Sequence, residues 1–326
     1  MICENLRPII GDSPAVRRAR ELIERYGPSS LPILLVGATG TGKELLARHV
    51  HACSRRSGRF VGVNCGAFPR EMAEGLLFGY ERGAFSGAVT QHRGHIECAD
   101  RGTLFLDELL ALPLDQQAKL LRALDLGEIQ RLGGELERRV DVRVVGAMQE
   151  EIGEPLVNQT FRRDLYQRIA GVVIELPPLK ERPEDVLSLA THFAAQQGRA
   201  LESDAARVLT NHSWPGNVRE LRHVIERAGA LGANGTLPAS ALLEAIEMGA
   251  PRHSSGFRFG EHGAGNLSSI VTAGERSGWH AGRTAEALGI DRSTLFRRLR
   301  ALNASFRQLR ESHLMRNSGA TAATPS

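Results

Sequence analysis

An α/β nucleotide-binding fold, followed by a helical lid and a separate all-α unit, is predicted by three stretches of this chain. The first is PILLVGATGTGKE, residues 32–44. Here an apolar strand (Ile33 to Val36) runs into a glycine-rich turn and then a helix, with Gly37, Gly42 and Lys43 in G-x-x-x-x-G-K register. The second is GTLFLDE, residues 102–108, a strand ending in adjacent carboxylates about 65 residues after that lysine. The third is GRTAEALGIDRSTLFRRLR, residues 282–300, two helical stretches across a tight turn.

Bulk properties agree. A length of 326 residues suits two or three compact units, and 42% hydrophobic content is ample for a core. The four cysteines, Cys3, Cys53, Cys65 and Cys98, form no C-x-x-C pair and have no matching histidine spacing. Neither a zinc site nor a disulfide framework is indicated, and a reducing cytoplasm fits. No apolar run reaches the roughly 18 residues that a membrane span needs, and the N-terminus lacks a signal-peptide pattern, so no membrane partner is expected. Residues 251–326 carry eleven Arg against five acidic residues, net +6, which leaves net −2 on residues 1–250. Such asymmetry points to a nucleic-acid-facing tail on a nearly neutral engine.

Taken in order, residues 14–26 (PAVRRARELIERY) have helical apolar spacing and predict a helix packed at the edge of the nucleotide fold. In the next stretch, Gly37, Ala38, Thr39, Gly40, Thr41 and Gly42 form a phosphate cradle. Glycines let the backbone bend so that successive N–H groups converge on phosphate oxygens, and Lys43 reaches the outer phosphates from a helix whose positive end faces them. Glu44 stands where Ser or Thr usually ligates magnesium, so other groups must hold the metal. FVGVN, residues 60–64, reads as a second buried strand, with Asn64 a simple strand terminator or something more.

LLFGYERGAFSGA, residues 76–88, frames an aromatic residue and a hydroxyl between glycine turns and reads as a surface hairpin. In GTLFLDE, Asp107 suits a magnesium ion and Glu108 a water-activating base; a pair of exposed acids at a strand end is the bland alternative. Residues 113–126 predict an amphipathic helix started by Pro113, residues 127–140 a hairpin turning at Gly133 and Gly134, and residues 141–147 another buried strand leading to Met148 and Gln149. Arg162 and Arg168 flank an amphipathic core in FRRDLYQRI; they suit surface ion pairs or a neighbouring subunit's bound phosphate equally.

From Pro177 the pattern becomes helical, over residues 183–197, 203–211, 217–231 and 238–248, which reads as a lid. WPGNVREL, residues 214–221, forces a turn after which Asn217 can cap the helix carrying Arg219. Residues 249–266 are rich in Gly and Ser without period and read as a flexible linker, and residues 313–326 as a disordered tail. Between them, residues 267–312 hold the helix-turn-helix. Arg292, Ser293, Thr294, Arg297 and Arg298 sit on its second helix, where major-groove and phosphate contacts are made, while Leu295, Phe296 and Leu299 include the core-facing positions.

Together these residues resemble the AAA+ family of bacterial enhancer-binding proteins, ATPases that activate transcription by sigma-54 RNA polymerase. The resemblance runs from Ile9 to about Leu309 and is sharpest at Gly83, Ala84, Phe85, Ser86, Gly87 and Ala88, which match the family's GAFTGA loop except for Ser in place of Thr. It implies an AAA+ P-loop subdomain over 1–176, a lid over 177–248 and a Fis-type helix-turn-helix. It also implies ATP and Mg2+ as cofactors, and a ring of self or paralogue subunits, a hexamer in the family. Phe85 and Ser86 are then the sigma-54 contacts, and enhancer DNA is the second partner. GATGTGKE resembles the family's phosphate loop, Glu44 included. Asp107 and Glu108 match its Walker B pair, Asn64 its switch residue, Arg162 and Arg168 its arginine fingers, Gln149 its first sensor and Arg219 its lid sensor.

Two departures stand out. Leu109, Leu110 and Ala111 replace the family's usual Ile-Gly-Asp, and Met148 replaces a threonine. They motivate an alternative expectation, a DNA-binding regulator that binds ATP but barely hydrolyses it, acting as a repressor or as one half of a hetero-oligomer. A remodelling ATPase unrelated to transcription would explain neither the loop nor the helix-turn-helix. The sequence opens directly on the ATPase region, as in members controlled in trans by an inhibitor, a co-activator or their own abundance.

Overall fold

The structure, a computed structural model, describes residues 6–149, 152–231 and 235–249, together with residues 270–271, 273–274, 277, 279–288, 295 and 299. The chain divides into two compact units, Met1–Pro251 and Arg252–Ser326.

In the first unit the elements run α1 (Pro14–Tyr26), β1 (Ile33–Val36), α2 (Lys43–Cys53), β2 (Phe60–Asn64), α3 (Ala73–Phe78), β3 (Gly79–Tyr80), β4 (His92–Arg93), α4 (His95–Cys98) and β5 (Thr103–Asp107). They continue as α5 (Leu114–Leu126), β6 (Glu128–Gln130), β7 (Glu137–Arg139), β8 (Arg143–Met148), α6 (Gly153–Val157), α7 (Arg163–Ile169) and β9 (Val172–Glu175). Five strands form one parallel sheet in the order β2-β5-β8-β1-β9.

Parallel strands covered on both faces read as continuous apolar runs because alternate residues feed different cores. Ile33, Leu35, Phe105, Val145 and Ala147 pack with α1 and α2 on one side. Leu34, Leu104, Leu106, Val144 and Met148 pack with α3, α5 and α7 on the other. Only β2 departs from the expected buried strand: it lies at the sheet edge, and Val63 alone among its residues is buried. The hairpin expected over residues 76–88 is also displaced. Leu76 to Phe78 end α3, and the antiparallel pair is β3 with β4, so the loop between them spans residues 81–91. β6 and β7 form the second hairpin as expected.

The lid is α8 (Pro183–Ala195), β10 (Ala200–Leu201), α9 (Ala205–Asn211), α10 (Asn217–Leu231), β11 (Thr236–Leu237) and α11 (Ala239–Gly249), the two short strands pairing in parallel. Its core gathers Val186, Leu189, Leu209, Val224, Ile225 and Leu242 about Trp214. Trp214 is 1% exposed, its Nε1–H donates to the Leu209 carbonyl at 2.9 Å, and His212 meets its ring edge-on at 4.5 Å. In the second unit, Ile270, Ala285, Leu295 and Leu299 share one buried cluster beside α12 (Ala281–Ala287). Leu295 and Leu299 thus face a core as expected. Phe296, Arg292, Ser293, Thr294, Arg297 and Arg298 lie outside the described residues, as do residues 250–269 and 300–326.

Because Trp214 is the largest fully buried side chain, Trp214→Ala leaves a cavity at the lid's centre and an orphaned Leu209 carbonyl. The expected loss is about 3–5 kcal/mol of unfolding free energy, read from urea denaturation.

Candidate functional site

The turn between β1 and α2 accounts for every one of its carbonyls. Lys43 Nζ donates to the Gly37 and Ala38 carbonyls at 2.6 and 3.1 Å. The Thr39 carbonyl accepts from Asn217 Nδ2 at 3.0 Å, that of Gly40 from the Arg219 N–H at 3.3 Å and that of Thr41 from Arg182 Nη2 at 3.0 Å, while that of Gly42 takes the helix bond from Leu46. Among the described residues no protein acceptor is bonded to the N–H groups of Thr39, Gly40 or Gly42. These remain the loop's free donors, as an anion site at a helix start requires. Gly40 needs its missing side chain on two grounds: its φ is +80°, and a Cβ would stand 2.5 Å from the Gly216 carbonyl.

A cleft of about 970 Å3 opens over this turn. Lys43, Asp107, Glu108, Asn64, Gln149 and Arg219 all line it, although they come from α2, β5, β2, β8 and the lid. Register explains the convergence: Asn64 pairs with Asp107, and the Lys43-bearing turn follows β1, which pairs with β8. Lys43 is buried, and burial pushes its pKa down; Asp107 and Glu108 oppose that shift and Arg219 adds to it. A lysine so desolvated, still folded onto carbonyls, is set to exchange them for phosphate oxygens.

Glu108 adopts a left-handed backbone, φ 52° and ψ 45°, a conformation that is uncommon and costly for a residue with a side chain. Its Oε2 lies over Gly66, where a Cβ would stand 2.2 Å away. Asn64 Oδ1 accepts from the Gly66 and Ala67 N–H groups at 2.8 and 3.2 Å, closing the 3-10 turn Cys65–Ala67. The described hydrogen bonds of Asn64 therefore run to that turn rather than to Glu108. Asp107 Oδ1 accepts from the Glu108 N–H at 2.9 Å. No group of three or more His, Cys, Asp or Glu gathers for a metal among the described residues. Asp107, at the cleft, suits Mg2+ that arrives on phosphates, which needs one or two carboxylates from the protein.

Other expected residues stand differently. Asn217 does not cap its own helix, because its Oδ1 accepts from the Leu179 N–H at 2.7 Å. Glu44 lines the cleft rim with its carboxylate held by Arg48 at 2.7 Å. Met148 is buried in the sheet core and Gln149 is exposed into the cleft, so strand alternation hands the polar position to Gln149. Leu109 likewise packs into that core. Arg162 and Arg168 sit outside the cleft; Arg162 binds Asp164 at 2.7 Å, and Arg168 binds Asp125 and the Leu124 carbonyl, each at 2.6 Å.

The Gly83–Ala88 loop closes on itself through Gly83 N–H to the Ala88 carbonyl at 2.9 Å. Phe85, Ser86 and Gly87 are exposed, Ala84 is half-buried, and Ala88, expected as a contact, is buried as the loop's base. Phe85 leans edge-on against Tyr80 with ring centres 5.0 Å apart. Beneath the loop lies Arg131, which sequence reading missed. Its guanidinium, 4% exposed, binds Glu97 through Nε and Nη2 at 3.0 and 2.8 Å and Glu81 through Nη1 at 3.0 Å. Burial works against its charge, yet the bonds and charges of Glu97 and then Glu81 outweigh that and hold its pKa up. Val89 and Leu136, 75% and 74% exposed, are apolar tips beside this loop and on the β6–β7 hairpin that were also missed. An apolar residue within a polar hairpin turn was the available sign of the second.

The sigma-54 interaction domain family matches residues 9–175, the span that carries the loop and every cleft residue named above except Arg219. The chain belongs to the NtrC-type sigma-54 activator family. A AAA+ ATPase lid domain matches residues 180–256, and a Fis-family bacterial regulatory domain matches residues 270–302. The fold is thus an α/β AAA+ P-loop domain with its lid, followed by a Fis-type helix-turn-helix. The chain is 42% identical to the C4-dicarboxylate transport transcriptional regulatory protein DctD of Rhizobium meliloti, over 90% of this chain and 64% of that one. It is 41% identical to a nitric oxide reductase transcription regulator of Cupriavidus necator, over 90% and 63%. It therefore spans just under two thirds of the length of these relatives. The crystal structure of NtrX from Brucella abortus in complex with ATP superposes with a TM-score of 0.68 at 33% identity, covering 92% of this chain and 70% of that one. No helix among the described residues of this sigma-54 activator-family chain is long and apolar enough to cross a membrane.

Cys65, which follows Asn64 at the end of β2, is buried. Burial, then Asp107 and Glu108, push its pKa up to about 12. At pH 8 it stays a protonated, unreactive thiol. Iodoacetamide is expected to label the exposed Cys98 in the native protein and to spare Cys65 until denaturant is added, as peptide mass spectrometry would show.

Proposed function

We propose that the chain is an ATP-hydrolysing transcription activator that docks on enhancer DNA, assembles as a ring, and drives sigma-54 RNA polymerase from closed to open promoter complexes. The observation that carries this reading is the convergence of Lys43, Asp107, Glu108, Gln149 and Arg219 on one cleft, in a chain that also bears the Gly83–Ala88 loop. The relatives named above are transcription regulators, and one neighbouring structure holds ATP, which supports the choice of ligand and process.

In this mechanism the Thr39, Gly40 and Gly42 N–H groups bind phosphate oxygens, and Lys43 leaves the Gly37 and Ala38 carbonyls for the outer phosphates. Asp107 would hold Mg2+, which would supply positive charge against the phosphates. Glu108 accepts the proton of the attacking water, and Asn64, one strand over, sets where that carboxylate rests. Arg219 steadies the phosphates from the lid, while Arg162 and Arg168 reach across to the neighbour's triphosphate and make hydrolysis depend on assembly. Phe85 and Ser86, at the loop tip, press on sigma-54. Arg292, Ser293, Thr294, Arg297 and Arg298 contact DNA, with residues 249–266 as the tether. The weakly hydrolysing alternative rested on Met148 and on Leu109 to Ala111. Met148 and Leu109 pack in the core, whereas Leu110 is half-buried and Ala111 exposed; steady-state phosphate release by the purified chain separates the two readings.

Three variants test the reading in a promoter-opening assay on supercoiled DNA. Lys43→Ala is expected to lower open-complex formation by about 100-fold or more together with phosphate release. Glu108→Gln should keep ATP binding and lose turnover to a similar degree. Ser86→Ala should cut promoter opening while leaving ATPase activity within about twofold, because the hydroxyl lies far from the chemistry along the chain. Full activation by both Lys43→Ala and Ser86→Ala would sink this mechanism.

A further inference from the structure

Arg182 and Asp185, at the start of α8, form a buried pair that nothing in the mechanism above uses. Their side chains are 4% and 0% exposed, and Arg182 Nη1 lies 3.7 Å from Asp185 Oδ2. Each also reaches away from the other. Arg182 Nη2 donates to the Thr41 carbonyl in the phosphate loop at 3.0 Å. Asp185 Oδ1 accepts from the Asp12 and Ser13 N–H groups at 2.7 and 2.8 Å, and its Oδ2 accepts from Ser13 Oγ at 2.6 Å. Gly11 fits against this carboxylate only because it lacks a side chain: a Cβ would stand 2.7 Å from Asp185 Cγ.

Both destinations adjoin the cleft. Thr41 lines it from the phosphate loop. Residues 11–13 follow directly on Pro8, Ile9 and Ile10, which line the same cleft together with Leu189 and Phe193 of α8. One ion pair therefore links the phosphate loop to the 8–13 segment.

Stability alone is a poor reason for such a pair. Burying two charges is costly, and an apolar replacement of similar volume is often as stable or more so. Here satisfaction is incomplete as well. The ion-pair distance is long, and Arg182 Nε is buried with no hydrogen-bond partner. Burial pushes the Arg182 pKa down, and Asp185 opposes that shift. A guanidinium kept under those conditions has its geometric value in the Thr41 bond, which faces the loop's N–H groups toward the cleft.

We propose that Arg182 and Asp185 are positioning residues of the nucleotide site, a strut that fixes the phosphate loop relative to the 8–13 segment so that one ATP engages both at once. This rests on the reading that the cleft takes ATP. Losing the strut leaves each of them formed but unmatched, so binding weakens while the fold persists.

The test is a double-mutant cycle on the full chain, measuring the dissociation constant for ATP by titration calorimetry and the thermal midpoint in parallel. Arg182→Met keeps volume and leaves the three bonds of Asp185 intact; Asp185→Asn keeps hydrogen bonding to residues 12 and 13 and drops the charge. Each single variant is expected to weaken ATP binding by about tenfold, and the double variant by no more than either, because both act through one interaction. Arg182→Lys, which restores a cation and a donor, should recover part of the loss. Unchanged ATP affinity in folded variants, or losses that add while tracking the thermal midpoint, would overturn the strut and leave an ordinary structural pair. Should Arg182→Met fail to fold, Asp185→Asn and Arg182→Lys carry the same comparison. Failure of the unmodified chain to bind ATP would be a different result: it would overturn the nucleotide reading of the cleft, and the strut with it.

Discussion

Six consecutive carbonyls, from Gly37 to Gly42, must each find a donor while the Thr39, Gly40 and Gly42 N–H groups stay free. A buried carbonyl without a partner costs about 1–3 kcal/mol, so a bare glycine turn would twist to satisfy itself and lose its cradle shape. The chain meets this constraint with donors from outside the turn. One is the Lys43 side chain; three come from Asn217, Arg219 and Arg182, all C-terminal to the sheet. The phosphate loop is thereby shaped by the lid as much as by its own glycines. Under the proposed function, rotation of α8 or α10 would act on the loop through these bonds, and a ligand on the loop's N–H groups would act on the lid through the same bonds. Binding and lid posture would then be the same equilibrium seen from two ends.

The Gly83–Ala88 loop obeys the opposite logic, with a tied-down base and an exposed tip. At the base, Arg131 binds two carboxylates, and the Leu132 N–H and carbonyl bond to the Gly79 carbonyl and the Glu81 N–H at 2.9 and 3.0 Å. Breaking a buried charge cluster by removing one partner costs about 3–5 kcal/mol, and these bonds tie the base of the loop to the β6–β7 hairpin. At the tip, Gly83 and Gly87 have φ of +84° and +113°, with no heavy atom within 4 Å of where a Cβ would lie. Their left-handed backbone, and not crowding, is what calls for glycine. A tied-down base under a small, open tip can transmit displacement to whatever touches Phe85 and Ser86.

Much of this was legible from local pattern. The strand, glycine turn and lysine of residues 33–43, the Asp107 and Glu108 pair, and the β6–β7 hairpin each follow from rules that act within a dozen residues. Errors arose where partners are distant. FVGVN has the composition of a buried strand, and only the sheet order, set by pairings far apart in sequence, puts it at the edge. Asn217 has the identity and position of a helix cap, but the Leu179 N–H, 38 residues away, takes its oxygen. Arg131 and Arg182 sit in stretches where an arginine reads as solvated surface; their burial depends on carboxylates and carbonyls that tertiary packing alone supplies. Met148 was weighed by residue type, whereas strand alternation decides that its side chain never meets the cleft.

Arg162 and Arg168 show why magnitude matters in judging assembly. In the single subunit both are held by their own chain, with Asp164 and Asp125 as partners, and all four side chains are between 42% and 50% exposed. Exposed ion pairs of this kind contribute about 0–1 kcal/mol, a restraint small enough to be displaced by a more highly charged partner. A triphosphate offers several negative oxygens in a setting drier than the open surface, where planar guanidinium forks bind bidentately. The self-pairs therefore hold the arginines at the surface without locking them there. Under the proposed mechanism a neighbour carrying nucleotide would outcompete Asp164 and Asp125, while an empty neighbour would give the arginines nothing to exchange for. This asymmetry would make the ring's catalytic contacts conditional on occupancy, with no separate switch required.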